Sequence, residues 1–371
     1  MKIKDALRAG KIGCQALPWR LAAACGLWQG GGAPVKFVSE KVNWAIQTVG
    51  ENIGWHLNNK MPGSFEMTSV PYKNCHRVVH FGSQYMWLAW QKHMPIGNKY
   101  VVSFFHGKPE DGPDVAAHID QFVASSDLIS TVITGSSIVA KRLASWGIPE
   151  SKVCLIPIGV DTRKFVPPSE AERLAARQKF GVKDGEIVIG SFQKDGVGWG
   201  DGMDPKLIKG PDRLVEVVSQ LAKDLPIKVF LTGPARGYVK RGLENSGVEY
   251  IHRYPKDHSG LIECYHALDM YFMTSREEGG PMGLTESMAC GVPVVSTAVG
   301  MAPDLLTGNM TKGLIVNYTA ETFADAARRF LDDQDLIETL KSESYNKVQK
   351  VDWQHVADAH WEKVYSKLVS R

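Results

Sequence analysis

Residues 271–300 read YFMTSREEGGPMGLTESMACGVPVVSTAVG, and the parsing of the whole chain turns on them. The apolar run 268–273 predicts a buried parallel strand, 278–282 a Gly/Pro-rich turn, 283–289 a helix and 293–296 a returning strand. Strand, loop, helix, strand is one unit of an α/β sheet. Gly279, Gly280 and Gly283, with Pro281 and Met282 between them, bring the backbone close to a ligand. The amides that open the following helix lack internal partners, so an anion can sit on them, and phosphate is the obvious candidate.

Glu278 and Glu286 are eight apart in this unit, the first in the loop and the second about a turn into the helix. Such a pair suits a polyol attached to a diphosphate: carboxylates accept from hydroxyls, while amides and the helix N-terminus take the negative charge. The same spacing also fits a capping Glu278 and a solvated Glu286, so context has to decide.

A chain of 371 residues predicts two domains, with 44% hydrophobic and 22% charged side chains marking an ordinary globular composition. No apolar run approaches the roughly 18 residues of a membrane span. Charge is uneven: residues 1–163 hold 17 basic against 11 acidic side chains, leaving 26 against 29 in the remainder. That asymmetry leans to an anionic acceptor or a membrane surface rather than nucleic acid. Cys14, Cys25, Cys75, Cys154, Cys264 and Cys290 show no C-x2-C pair and no zinc-like His spacing, and read as reduced core residues of a cytosolic protein.

Residues 1–33 carry Lys2, Lys4, Arg8, Lys11 and Arg20 against Asp5 and the apolar patch LAAACGLW, so either a packed extra helix or a peripheral membrane contact fits; a cleaved signal is not expected. Strands are then expected at 35–39, 78–81, 100–105, 128–134 and 153–156, with helices at 43–57 and 136–146. Residues 161–168, DTRKFVPP, read as a linker. The pattern restarts with strands at 187–191, 227–232 and 248–251, a helix at 211–221, the opening unit, a strand at 314–316 and helices at 320–332 and 353–368. Val/Ile-rich strands alternating with helices imply parallel sheets covered on both faces, with ligands at their carboxyl ends.

With 136–165, SSIVAKRLASWGIPESKVCLIPIGVDTRKF, and 275–300, SREEGGPMGLTESMACGVPVVSTAVG, in the expected order, the chain from about residue 35 resembles the family 4 retaining glycosyltransferases. The resemblance implies a GT-B fold: two facing Rossmann-like domains with a cleft between them. Residues 1–163 would be the acceptor domain and 164–351 the donor domain, with 352–371 packing back on the first. It further implies a UDP- or GDP-sugar donor, a glycan, lipid-linked or small-molecule acceptor, polysaccharide or glycoconjugate biosynthesis, and a cytoplasmic place, at the inner face of the membrane if the peripheral contact exists. No metal or other cofactor is expected.

By that resemblance Glu286 binds ribose hydroxyls, Glu278 the donor sugar, and His106, after a first-domain strand, lies near sugar and acceptor. Lys209 matches the family's Lys-Gly and would hold the diphosphate, assisted by Lys194 and the amides near Gly280 to Gly283; Arg253 and Tyr254 would rest the nucleobase. Three features depart from the family: SEKV at 39–42 has no glycine, GSFQK at 190–194 offers Gln193 and Lys194 where an Arg is common, and the Gly-rich 195–208 segment is long enough for a lid. A same-architecture epimerase or phosphorylase, or a catalytically silent nucleotide-sugar binder, are the rival readings.

Overall fold

The structure, a computed structural model, describes residues 3–40 and 45–369, with side chains from residue 12 onward. Lys41 and Val42 of the loop after the first strand, the start of the helix expected from 43, the side chains of Lys2, Lys4, Asp5, Arg8 and Lys11, and the last two residues of the closing segment lie outside it. The chain forms two compact units, one reaching Ile158 and reclaiming the segment from Trp353, the other spanning Gly159–Asp352.

The first unit is built on six parallel strands: β1 (Val35–Val38), β2 (Phe65–Thr68), β3 (Val78–Phe81), β4 (Lys99–Ser103), β5 (Ile129–Thr134) and β6 (Val153–Leu155), in the order β2-β1-β3-β4-β5-β6. β1 and β3 are buried at every position, as a sheet covered on both faces requires. Sequence reading passed over β2, so the strands expected at 78–81 and beyond are the third to the sixth. FEMT is short, its Glu66 is exposed, and it pairs only with β1 at the sheet edge, so it carries no continuous apolar signal.

Helix Trp353–His360 packs on helix Ala45–Lys60, with Lys60 bonded to Asp358 at 2.6 Å; Tyr365, in the π-helical turn Trp361–Tyr365, donates to or accepts from His80 Nδ1 at 2.6 Å. Helix Ile3–Ala24 is docked at its far end: Trp28 donates to the Lys73 carbonyl and packs on Trp19. Leu17, Leu21 and Leu27 beside it stay exposed. All six cysteines are free; Cys75, Cys264 and Cys290 are buried, but Cys14 and Cys25 are exposed, which corrects their assignment to the core.

The second unit holds β7 (Ile187–Phe192), β8 (Ile227–Thr232), β9 (Glu249–Arg253), β10 (Met270–Met273), β11 (Val294–Thr297) and β12 (Leu314–Ile315), parallel and ordered β12-β11-β10-β7-β8-β9. Strand order reverses between β7 and β10, and in open parallel sheets the loops leaving such a switch point splay apart and leave a crevice for ligand. The corresponding reversal in the first sheet lies between β1 and β3.

Candidate active site

β10 ends at Met273, and the chain continues through Thr274 and Ser275 to Glu278 before helix Met282–Ala289. A second segment, the turn Leu207–Lys209 with Gly210, is stitched to this loop. Arg276 and Glu277 amides donate to the Ile208 carbonyl at 2.8 and 3.3 Å, and Thr274 Oγ1 donates to the Gly210 carbonyl at 2.9 Å. Gly210 has φ +65°, and a Cβ there would lie 2.0 Å from the Thr274 carbonyl oxygen, so only glycine allows this approach. Arg276 closes the seam with a two-pronged pair to Asp212 at 2.7 and 2.6 Å.

That seam places Lys209 on Glu278. Its Nζ lies 2.7 Å from both carboxylate oxygens, and Ser275 Oγ donates to Oε1 at 2.9 Å. Glu278 is 6% exposed, and a polar group so buried is costly unless it is paired and hydrogen-bonded, as this one is. Gln193, leaving β7, donates its amide to the Lys209 carbonyl at 2.9 Å, so both loops of the switch point hold the lysine.

Lys194 follows on the same loop and stacks its ammonium 4.0 Å from the Trp199 ring centroid. Its 195–208 segment folds back on itself: Val197 bonds Asp204, Lys206 bonds Asp195, and the carbonyls of Asp201 and Gly202 receive the Gly237 and Tyr238 amides opening helix Gly237–Asn245. Beneath it Arg236, wholly buried, donates to the Ser191 and Thr232 carbonyls at 2.7 and 2.8 Å. Its Nε lies 2.9 Å from Asp195 Oδ1 without the alignment of a hydrogen bond, and burial pushes the Asp195 carboxyl up against the pull of that guanidinium.

Glu286, in helix Met282–Ala289, is 3% exposed. Tyr265 donates to its Oε2 and His258 Nε2 lies on its Oε1, each at 2.8 Å. The Glu286 hydrogen bond is the chief cause raising the His258 imidazole above its ordinary value, opposed by burial. Gly283 does not face open space: a Cβ there would lie 2.3 Å from the Tyr271 hydroxyl, so this glycine serves helix-on-strand packing.

Glu278, Lys209 and the turn at 279–283 thus gather at the switch point, with Glu286 one segment further along. Arg253 ends β9 at the sheet edge, donates to the His252 carbonyl and approaches the Phe180 ring, while Tyr254 is 66% exposed. His106 belongs to the first unit, just beyond β4, where its carbonyl accepts from Gln84 at 3.2 Å. Ser275, Arg276, His258 and Tyr265 went unread in the sequence. Ser275 and Arg276 flank the motif and could have been taken from it; the histidine and tyrosine reach Glu286 only through tertiary packing. Among the described residues no group of three or more His, Cys, Asp or Glu side chains is arranged to hold a metal ion.

Residues 205–347, which contain Lys209, Glu278 and Glu286, match the family model for glycosyl transferases group 1. The second unit carries a group 1 glycosyltransferase domain. The D-inositol 3-phosphate glycosyltransferase of Jonesia denitrificans is 26% identical over 312 residues, covering 76% of this chain and 69% of its own length. That of Actinosynnema mirum is 26% identical over 259 residues, 66% of this chain and 57% of its own length. Among solved structures, Anabaena HepE in complex with UDP-glucose superposes with a TM-score of 0.73 at 17% identity over 90% of this chain and 99% of that one. Sucrose-phosphate synthase from Thermosynechococcus elongatus gives 0.66 at 20% identity over 88% and 79%. The fold of this chain is GT-B, with two Rossmann-like domains, as the sequence resemblance implied. Among the described residues no helix is long and apolar enough to cross a membrane.

Proposed function

We propose that the chain is a retaining, metal-independent glycosyltransferase that moves a sugar from a UDP- or GDP-sugar to an acceptor hydroxyl in cytoplasmic glycoconjugate or polysaccharide synthesis. The observation that carries this reading is the Lys209–Glu278 pair at the switch point of the second sheet, beside the opening of helix Met282–Ala289. As the bond from the anomeric carbon to the β-phosphate oxygen breaks, negative charge grows on the diphosphate and positive charge on the sugar. Lys209, the amides of Gly280, Met282 and Gly283, and Lys194 answer the first; Glu278 takes the sugar hydroxyls and Glu286 those of the ribose. The acceptor oxygen bonds the anomeric carbon on the face the diphosphate leaves, and its proton passes to a leaving phosphate oxygen, which preserves configuration. His106 is assigned to the acceptor side, and Arg253 and Tyr254 to the nucleobase.

The basic excess of the first 163 residues fits an anionic acceptor, and relatives named for D-inositol 3-phosphate make that compound one to test. The test incubates the protein with a panel of UDP- and GDP-sugars and acceptors, follows nucleoside diphosphate release, and assigns the product anomer by NMR. Release with retained configuration is expected. Tight UDP or GDP binding with no release from any sugar would instead support a silent nucleotide-sugar binder, the reading that the glycine-free SEKV at 39–42 favours.

A further inference from the structure

Under the ribose assignment just made, Glu286 must offer its carboxylate to hydroxyl donors; each oxygen already has one partner and keeps a further lone pair, so what covers it decides whether a hydroxyl can reach it. The two partners differ. Tyr265 is wholly buried among Phe165, Phe192 and Tyr271, and stays with the core. His258 has a side chain 46% exposed against 4% for Glu286, and it stands on the short turn His258–Gly260 capped by Asp257, with the Phe165 ring against it at 5.5 Å. The buried carboxylate is therefore separated from solvent on one side by a half-exposed imidazole on a three-residue turn.

We propose that His258 is a removable cover on Glu286: its ring stands on the solvent side of Oε1, where a donor's ribose hydroxyls must approach, and nucleotide binding swings the ring aside while Tyr265 keeps the carboxylate oriented. This rests on the ribose role of Glu286. The groups facing the imidazole are Glu286 and Asp257, which favour its protonated form, and Lys164, which opposes it, with the Phe165 ring alongside. A ring displaced from Glu286 loses its main reason to hold a proton, so binding releases protons. Free protein then holds more protons than the complex, and affinity falls as the pH is lowered through the raised imidazole value, levelling below about 6.5. Nucleotide capture becomes self-limiting on acidification, with the control residing in the donor site itself.

The experiment is calorimetric titration with UDP and with GDP at about pH 6 and about pH 8.5 of the parent, His258→Ala, His258→Gln and Glu286→Ala, with melting curves to confirm folding. Ionisation of the nucleotide is common to all four proteins and cancels between them. His258→Ala is expected to bind about tenfold more tightly than the parent at the lower pH, the scale of one charge-assisted hydrogen bond that no longer has to be broken. His258→Gln, which keeps a donor but cannot titrate, is expected to lose the parent's excess pH dependence. Binding by His258→Ala equal to or weaker than the parent's at both pH values, with Glu286→Ala weakened, overturns the cover and leaves His258 as a support for Glu286. Unweakened binding by Glu286→Ala removes the ribose assignment, and failure of both nucleotides to bind the parent removes the donor reading itself.

Discussion

Glu278 keeps both oxygens on the Lys209 ammonium and a third contact with Ser275, inside a loop that leaves it almost no solvent. A carboxylate held this way is oriented before any ligand arrives, and little reorganisation remains to be done when charge develops nearby. Glu278→Gln keeps the shape but removes the charge and should lower turnover while leaving nucleotide affinity within about 0.5 kcal/mol, because its partner in the proposal is the sugar. Glu286→Ala should do the reverse, weakening nucleotide binding first. Steady-state kinetics paired with titration separate the two, and near-parent values in both would remove the carboxylate pair from the site. Both glutamates stand out in the sequence, since loop, helix start and spacing carry a local signal, whereas Lys209 is singled out only by its match to the family's Lys-Gly. His258 and Tyr265 do not stand out, because their contacts to Glu286 span 28 and 21 residues and no local pattern encodes such a meeting.

The turn Leu207–Lys209 and the loop after β10 are bonded to each other at Ile208 and Lys209, and Gly210 is where their backbones approach too closely for a Cβ. Gly210→Ala would need a left-handed φ and a Cβ inside the Thr274 carbonyl. It should cost roughly 1–3 kcal/mol in stability and move Lys209 off Glu278. Denaturant melts together with turnover check this: a variant as stable and as active as the parent would mean that the seam does not position the lysine. Element order in this unit was readable because its strands are continuous apolar runs between helical periods. β2 was not, since a four-residue edge strand with an exposed Glu66 pairs on one side only and resembles a loop. Gly283 also has a role that a motif rich in glycine hides, since a Cβ there would meet the Tyr271 hydroxyl.

Across the whole molecule, acid should strike the first unit first. His80 and His360 are buried, and burial holds both imidazoles below their ordinary value, His360 at about 4 and His80 well down. Their folded values are depressed, so the unfolded chain binds protons that the folded one refuses, and stability falls as the pH drops from about 6.5 toward 4, by up to about 1.4 kcal/mol per pH unit for each histidine. His258, whose value is raised, has the opposite sign and is half exposed, so it offsets little of this. Melting temperatures from pH 7.5 down to pH 4.5 test the slope, and a flat profile would count against two neutral buried imidazoles. If activity is found, EDTA should leave it intact, because in the proposal Lys209 and the helix opening supply the charge that a cation would otherwise supply. A strict requirement for Mg²⁺ or Mn²⁺ would contradict that assignment.

The sharpest single measurement is the kinetics of Lys209→Ala and Lys209→Arg at saturating donor. An ammonium whose attraction strengthens as the diphosphate gains charge must affect turnover as well as affinity, so Lys209→Ala should lose roughly 2–4 kcal/mol of combined transition-state stabilisation. Lys209→Arg should recover only part, since a planar fork has to fit where a compact ammonium bridges both Glu278 oxygens beside Gly210. Unchanged turnover in Lys209→Ala would contradict the placement of the reacting diphosphate at this switch point.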